Sequence, residues 1–257
     1  MSRQDIASIV QPKDHPEKIG VRITPPPGIH IPAAPAETPA YLRKHYWWAY
    51  VHPAAVRFFE RPWLINLILL GNYRRLSEAA LEAMGTKIAG RCLQLACVYG
   101  DLTPRLCERL AEGASLDVVE VLPVQLENLR RKLGNHPQVQ LRQEDSSALP
   151  MADASYDQAL LFFLLHEQPA EVRRRTLEEA FRVVKASGQI VIVDYAKPCW
   201  WNPIRYLLLP ILGRIEPFAP DLWRKGIIGL LPKTALHQKI QSRSVFGGLY
   251  QQVTITR

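Results

Sequence analysis

Four cysteines in 257 residues, none in a Cys-x-x-Cys pair, exclude a disulfide-built fold and a zinc ribbon. Cys92 and Cys97 fall in an apolar run and read, with Cys107 and Cys199, as reduced thiols in a reducing compartment. No apolar stretch approaches the roughly 18 residues that a spanning helix needs, so the sequence predicts a chain that does not cross a membrane. Residues 1–11 lack a basic start followed by an apolar core, so no secretory signal is expected. Acidic residues are outnumbered, 24 Asp and Glu against 32 Lys and Arg, for a net charge of +8. That excess favours an anionic partner. No zinc-finger spacing and no aromatic ribonucleoprotein motif accompanies it, which ranks an anionic membrane surface above nucleic acid.

What is present is ordinary for a globular chain: 47% hydrophobic and 22% charged residues. Residues 1–40 form a proline-rich arm, read as extended or disordered. Residues 41–89 are aromatic-rich, with helical spacing in Pro53–Glu60 and Pro62–Met84. Their aromatics, Tyr46, Trp47, Trp48 and Tyr50 among them, read as core or as a lid over a flat ring. The run WLINLILL, residues 63–70, is more apolar than a surface helix needs and sits beside Arg57, Arg61, Arg74 and Arg75.

The chain is organised around RCLQLACVYGDLT, residues 91–103: an apolar run that stops at Gly100 and turns into a helix over Pro104–Ala111. Strands are then expected at 116–121, 138–143, 156–165 and 189–195. Helices are expected at 123–133 and 171–185, the latter closed by Ser187-Gly188. Two antiparallel strands, 239–244 and 249–256, join through Gly247-Gly248. This alternation predicts an α/β, doubly wound, mostly parallel seven-stranded sheet. Residues 199–232, apolar, aromatic and basic, break the pattern as a cap over the ligand that also touches lipid. Ligands of such sheets sit outside the carboxyl ends of the strands.

The order of these pieces over residues 90–257 resembles the class I S-adenosylmethionine-dependent methyltransferases. Glu120 in DVVEVLP, Asp145-Ser146 before ALPMADASYD, and RVVKASGQIVIVD carry the resemblance. It implies that Glu120 accepts the ribose hydroxyls, Asp145 and Ser146 hold the adenine edge, Val121 and Leu122 flank the adenine face, and Phe162 lines the site. The family's three alternate glycines fall here on Ala96, Val98 and Gly100, so only one is kept. With its aromatic block, HYWWAYVHPAAVRFFERPWLINLILLGNY, then ACVYGDLTPRL and DVVEVLPVQLENLRRKL, the chain beyond the proline-rich arm is similar over nearly its whole length to the rhodoquinone-biosynthesis (RquA) family. That resemblance implies replacement of a ring methoxy group of ubiquinone by an amino group, with S-adenosylmethionine as amino donor and manganese(II) as a second cofactor.

Within this reading the altered loop turns the amino end of the cofactor, bound across Ala96 and Gly100, towards the quinone. Tyr99, Asp101 and His166 are the catalytic candidates. Asp101 would hold the ammonium, ligate metal or cap the following helix. His166 would be a base or a donor to a quinone carbonyl. Asp101, His166, Glu167 and Asp194 suit manganese by residue type, but no short motif fixes a metal site. The expected location is the inner face of the cytoplasmic membrane, or the mitochondrial matrix side, attached peripherally. The rival readings are an ordinary quinone or lipid-precursor methyltransferase, a non-catalytic quinone-binding protein, and, on charge alone, a nucleic-acid methyltransferase.

Overall fold

The computed structural model describes residues 37–257 except 47, 50–52 and 98. The proline-rich arm up to residue 36, Trp47 and Tyr50 of the predicted lid, and Val98 of the loop lie outside the described residues. All described residues fall in one compact unit.

Seven strands form one sheet in the order β3-β2-β1-β4-β5-β7-β6. They are β1 (Arg91–Leu95), β2 (Ser115–Val119), β3 (Val139–Arg142), β4 (Tyr156–Phe162), β5 (Val184–Tyr195), β6 (Lys239–Val245) and β7 (Tyr250–Thr256). The first five pair in parallel, and β7 runs antiparallel to both β5 and β6. The predicted doubly wound sheet and its C-terminal hairpin are both present. Chain order reverses between β1 and β4, so a crevice opens at the carboxyl ends of these two strands.

The helices are α1 (Ala40–His45), α2 (Pro53–Phe59), α3 (Pro62–Ile68), α4 (Tyr73–Met84), α5 (Leu102–Cys107), α6 (Pro123–Leu133), α7 (Ala170–Val183), α8 (Ile204–Ile215) and α9 (Ala219–Lys225). Strand residues alternate between two cores, as a period of two requires. Leu160 and Phe162 of β4 join Leu76, Leu106 and Val118 on one face. Ala159 and Leu161 join Leu177, Phe181 and Ile192 on the other. Proline at the first turn starts α3 and α6, and Gly134 at φ +60° ends α6.

Three expectations need correction. The predicted helix over Pro62–Met84 is two helices, because Leu70 and Gly71 adopt left-handed φ values of 51° and 79°. Residues 185–188 do not close α7 as a loop. They belong to β5, whose register against β4 shifts between Tyr156 and Gln158. Gly188 is needed there, since a Cβ would lie 2.7 Å from the Asp157 carbonyl oxygen. Within the predicted cap only part is peripheral: Ala219, Leu222 and Trp223 of α9 and Ile227 are core.

Candidate active site

A cavity of about 380 Å³ lies over the carboxyl ends of β1, β2 and β4. β1 ends at Leu95, and Ala96 turns the chain with φ +66°. The left-handed turn that glycine normally makes is therefore kept by an alanine, at a cost of about 1–2 kcal/mol. Phe163, just after β4, is likewise left-handed at φ +54°. Two strained turns thus face one cavity, as happens where function fixes the backbone.

Glu120 follows β2 and is buried. Its carboxylate accepts the Leu122 N–H at 2.9 Å and the Cys97 N–H at 3.1 Å. Burial pushes its pKa up to about 7, against the lowering pull of those N–H groups. Asp145 lines the same cavity and accepts both the N–H and the hydroxyl of Ser147 at 2.8 Å. The Ser146 hydroxyl, by contrast, is engaged with Gln168 and Thr176. Val121, Leu122, Ala96 and Phe162 also line the cavity, so all but one of the predicted cofactor-binding residues gather there.

Gly100 is the exception. It lies off the cavity, its N–H held by Glu60 at 2.9 Å and its carbonyl by Lys132 at 2.8 Å. Its φ is +90°, and a Cβ would clash with the Tyr73 hydroxyl. Tyr73 also binds Asp101: the hydroxyl donates to the Asp101 carboxylate at 2.9 Å and accepts the Asp101 and Leu102 N–H groups. Asp101 precedes α5 but makes no side-chain cap, and it does not line the cavity. Tyr99 does line it. Its hydroxyl donates to the Ala49 carbonyl at 2.6 Å and accepts from Gln125, and its ring stacks on Phe59. The loop is thus braced by Glu60 and Tyr73 from outside the conventional domain.

His166 sits in a 3-10 turn, Leu165–Glu167, after β4. The turn is fastened by buried Arg173, which donates to the Leu165, Gln168 and Phe218 carbonyls and pairs with Asp221. His166 Nδ1 lies 2.9 Å from Asp194 Oδ1, and Nε2 lies 3.7 Å from Glu167. Burial alone would lower its pKa. The Asp194 carboxylate, with Glu216 and Glu167, overrides that and brings it up to about 9. At neutral pH these carboxylates favour the imidazolium form of His166, a donor rather than a base. Asp194 is fully buried and also accepts the Leu165, His166 and Tyr195 N–H groups.

The sequence reading missed Glu216, which follows α8. It lines the cavity and accepts a 2.7 Å hydrogen bond from buried Tyr46. Burial raises its pKa, with His166 and Tyr46 opposing. No local signal marks it, because its partners are 170 and about 50 positions away. Among the described residues no group of three or more His, Cys, Asp or Glu is arranged to hold a metal. Asp194 spends its oxygens on backbone and imidazole, and Asp101 is turned to Tyr73, so the residues do not fit the manganese expectation.

Comparison with known proteins places this geometry. Residues 92–188 match a family model described as a methyltransferase domain. The chain is 26% identical over 196 residues to the ubiquinone/menaquinone biosynthesis C-methyltransferase UbiE of Geobacter sp. (strain M21), spanning 74% of this chain and 80% of that protein. A SAM dependent methyltransferase from Aquifex aeolicus shares the fold with a TM-score of 0.54 at 18% identity, covering 79% of this chain and 97% of that one. N-methyltransferase NodS from Bradyrhizobium japonicum WM9, solved with S-adenosyl-l-homocysteine, gives a TM-score of 0.55 at 13% identity, covering 78% and 90%. The fold is that of the class I methyltransferases, and the chain is methyltransferase-like.

Proposed function

We propose that this methyltransferase-like chain is an S-adenosylmethionine-dependent transferase of rhodoquinone biosynthesis, exchanging a ring methoxy group of ubiquinone for an amino group. One observation carries the reading: a single apolar cavity holds two carboxylates after β2 and β3, buried Glu120 and half-buried Asp145, together with His166, drawn towards its imidazolium form by Asp194, and a proton-accepting carboxylate, Glu216. Glu120 has the chemistry to accept ribose hydroxyls, and Asp145 to accept from an adenine edge. Phe162, Phe163 and Tyr195 supply an aromatic wall suited to a flat ring.

The amine nitrogen must lose a proton before it can add to the ring carbon that bears methoxy. Glu216 is suited to accept that proton, its charge disfavoured by burial and steadied by Tyr46. Addition pushes an electron pair onto the ring carbonyl oxygen, where the His166 imidazolium donates a hydrogen bond. Collapse expels methoxide, which takes a proton and leaves as methanol. Bound S-adenosylmethionine would supply the amino nitrogen; the bond from that nitrogen to the α-carbon would break after loss of the α-proton, whose electron pair reduces the quinone ring and leaves an imine that water hydrolyses to the amino-hydroquinone and a 2-oxo acid. No step is routed through a metal. The substrate's isoprenoid tail makes an anionic membrane surface the partner, and no helix among the described residues is long and apolar enough to cross a membrane.

A second reading, an ordinary C-methyltransferase of a quinone precursor, is favoured by the similarity to the UbiE protein of Geobacter. One experiment separates them. Purified protein receives short-tail ubiquinone and S-adenosylmethionine carrying nitrogen-15 in its amino group, with and without manganese(II), and products are read by mass spectrometry. Nitrogen-15 in an aminoquinone is the expected result. A methylated product, or none, overturns amino transfer.

A further inference from the structure

Large exposed apolar side chains are not scattered over this protein. Of the twelve among the described residues, eleven fall in two stretches of chain, residues 48–68 and 200–215. Trp48, Ile68, Ile211 and Ile215 are at once exposed and part of the cavity wall, so they form its rim. Beyond the rim stand Trp63 (57% exposed) and Leu67 on α3, and Trp200 (75% exposed) before α8. A cavity whose mouth is ringed by apolar side chains does not invite a ligand from water.

A second feature adjoins both stretches. Arg74 and Arg75, on the first turn of α4, and Arg243, on β6, border a cleft that also holds Glu78 and Glu82. Glu78 is committed to Arg105 and Arg109. The three cleft arginines make no ion pair among the described residues and are exposed. α4 begins five residues after α3 ends. On the other side, β6 runs through Val245 into the turn at Gly247, which Asn202 binds and against which the Trp201 ring packs. The cationic cleft therefore lies between the roots of the two apolar stretches.

We propose that this face docks on an anionic phospholipid bilayer. The outer faces of α3 and α8 enter the interfacial layer, Arg74, Arg75 and Arg243 take lipid phosphate, and the cavity rim opens towards the acyl chains. Charge complementarity selects phospholipid: guanidinium forks recognise phosphate, and tryptophans on the two adjoining apolar stretches fit the headgroup boundary. The last element, entry of a lipid-tailed substrate from the bilayer side, rests on the quinone reading. The docking itself does not.

The test is vesicle flotation of the full chain, without quinone or cofactor, on phosphatidylcholine alone and on phosphatidylcholine with phosphatidylglycerol, at low and high salt. Wild type should float with the anionic vesicles and less so as salt rises. The triple variant Arg74→Gln/Arg75→Gln/Arg243→Gln should lose affinity by about 100-fold. Trp63→Ser/Trp200→Ser should weaken binding at either salt. Thermal melts would establish that both variants fold, and single Arg→Gln variants replace the triple one should it not. Equal flotation of wild type and variants, no flotation of wild type, or a dimer in solution that buries Trp63 and Trp200 would each overturn the docking. So would protection by inorganic phosphate alone with no vesicle binding. Intact docking with no quinone chemistry would instead sink only the functional reading.

Discussion

Replacing Asp194 by asparagine tests the electrostatics on which the chemistry depends. The asparagine keeps one oxygen, enough for either the Tyr195 N–H or the Leu165 and His166 N–H groups, and removes the charge beside His166. In the wild type the imidazole moves from its ordinary 6.5 to about 9. At about 1.4 kcal/mol per tenfold change, that is roughly 3 kcal/mol favouring the charged form. Because the folded pKa is raised, this stability is complete below pH 6.5, declines as pH climbs, and is gone above about 9. In Asp194→Asn, burial acts with less opposition, so the midpoint should fall below 6.5, and the stability lost between 6.5 and 9 should give way to a loss on acidification below 6.5. Proton NMR of His166, assigned by comparison with His166→Gln, reads the midpoint. Denaturant unfolding on either side of the window reads the energy. A wild-type midpoint at or below 6.5, or one that Asp194→Asn leaves in place, would refute the reasoning and return His166 to the role of base.

Other outcomes follow from the same geometry. Glu120 carries a raised pKa of about 7, so its ionisation costs folding stability as pH rises from 4.5 towards 7. Glu120→Gln should therefore stabilise the ligand-free protein at pH 8 while weakening S-adenosylmethionine binding about 10- to 100-fold, measured by calorimetry. Ala96→Gly should relieve the left-handed strain at φ +66° and, after the added freedom of the unfolded chain, stabilise by about 0.5–1 kcal/mol in unfolding. Arg173→Ala should destabilise by about 3–5 kcal/mol, since it abandons the buried carbonyls of Leu165 and Gln168 and the Asp221 carboxylate; thermal unfolding checks it.

Where a feature depends on near neighbours, the sequence alone determined it. Strand spacing of two and helix spacing near four are local, so the seven strands and helix α6 could be read directly, as could the cavity's place beyond the carboxyl ends of the strands. Glu120 and Asp145 could be read for the same reason, each sitting just past a strand. Local pattern failed where backbone geometry intervened. Leu70 and Gly71 cut one apolar helical run in two, and a register shift drew residues 185–188 into β5. Only the tertiary structure decided protonation and company. His166 becomes a donor because Asp194, 28 positions on, is buried against it, and Glu216 enters the site because Tyr46 reaches it across 170 positions. Asp101 leaves the site because Tyr73, which no loop motif foretells, claims its carboxylate. Burial and charge act through space, and a sequence records space only where the chain is its own neighbour.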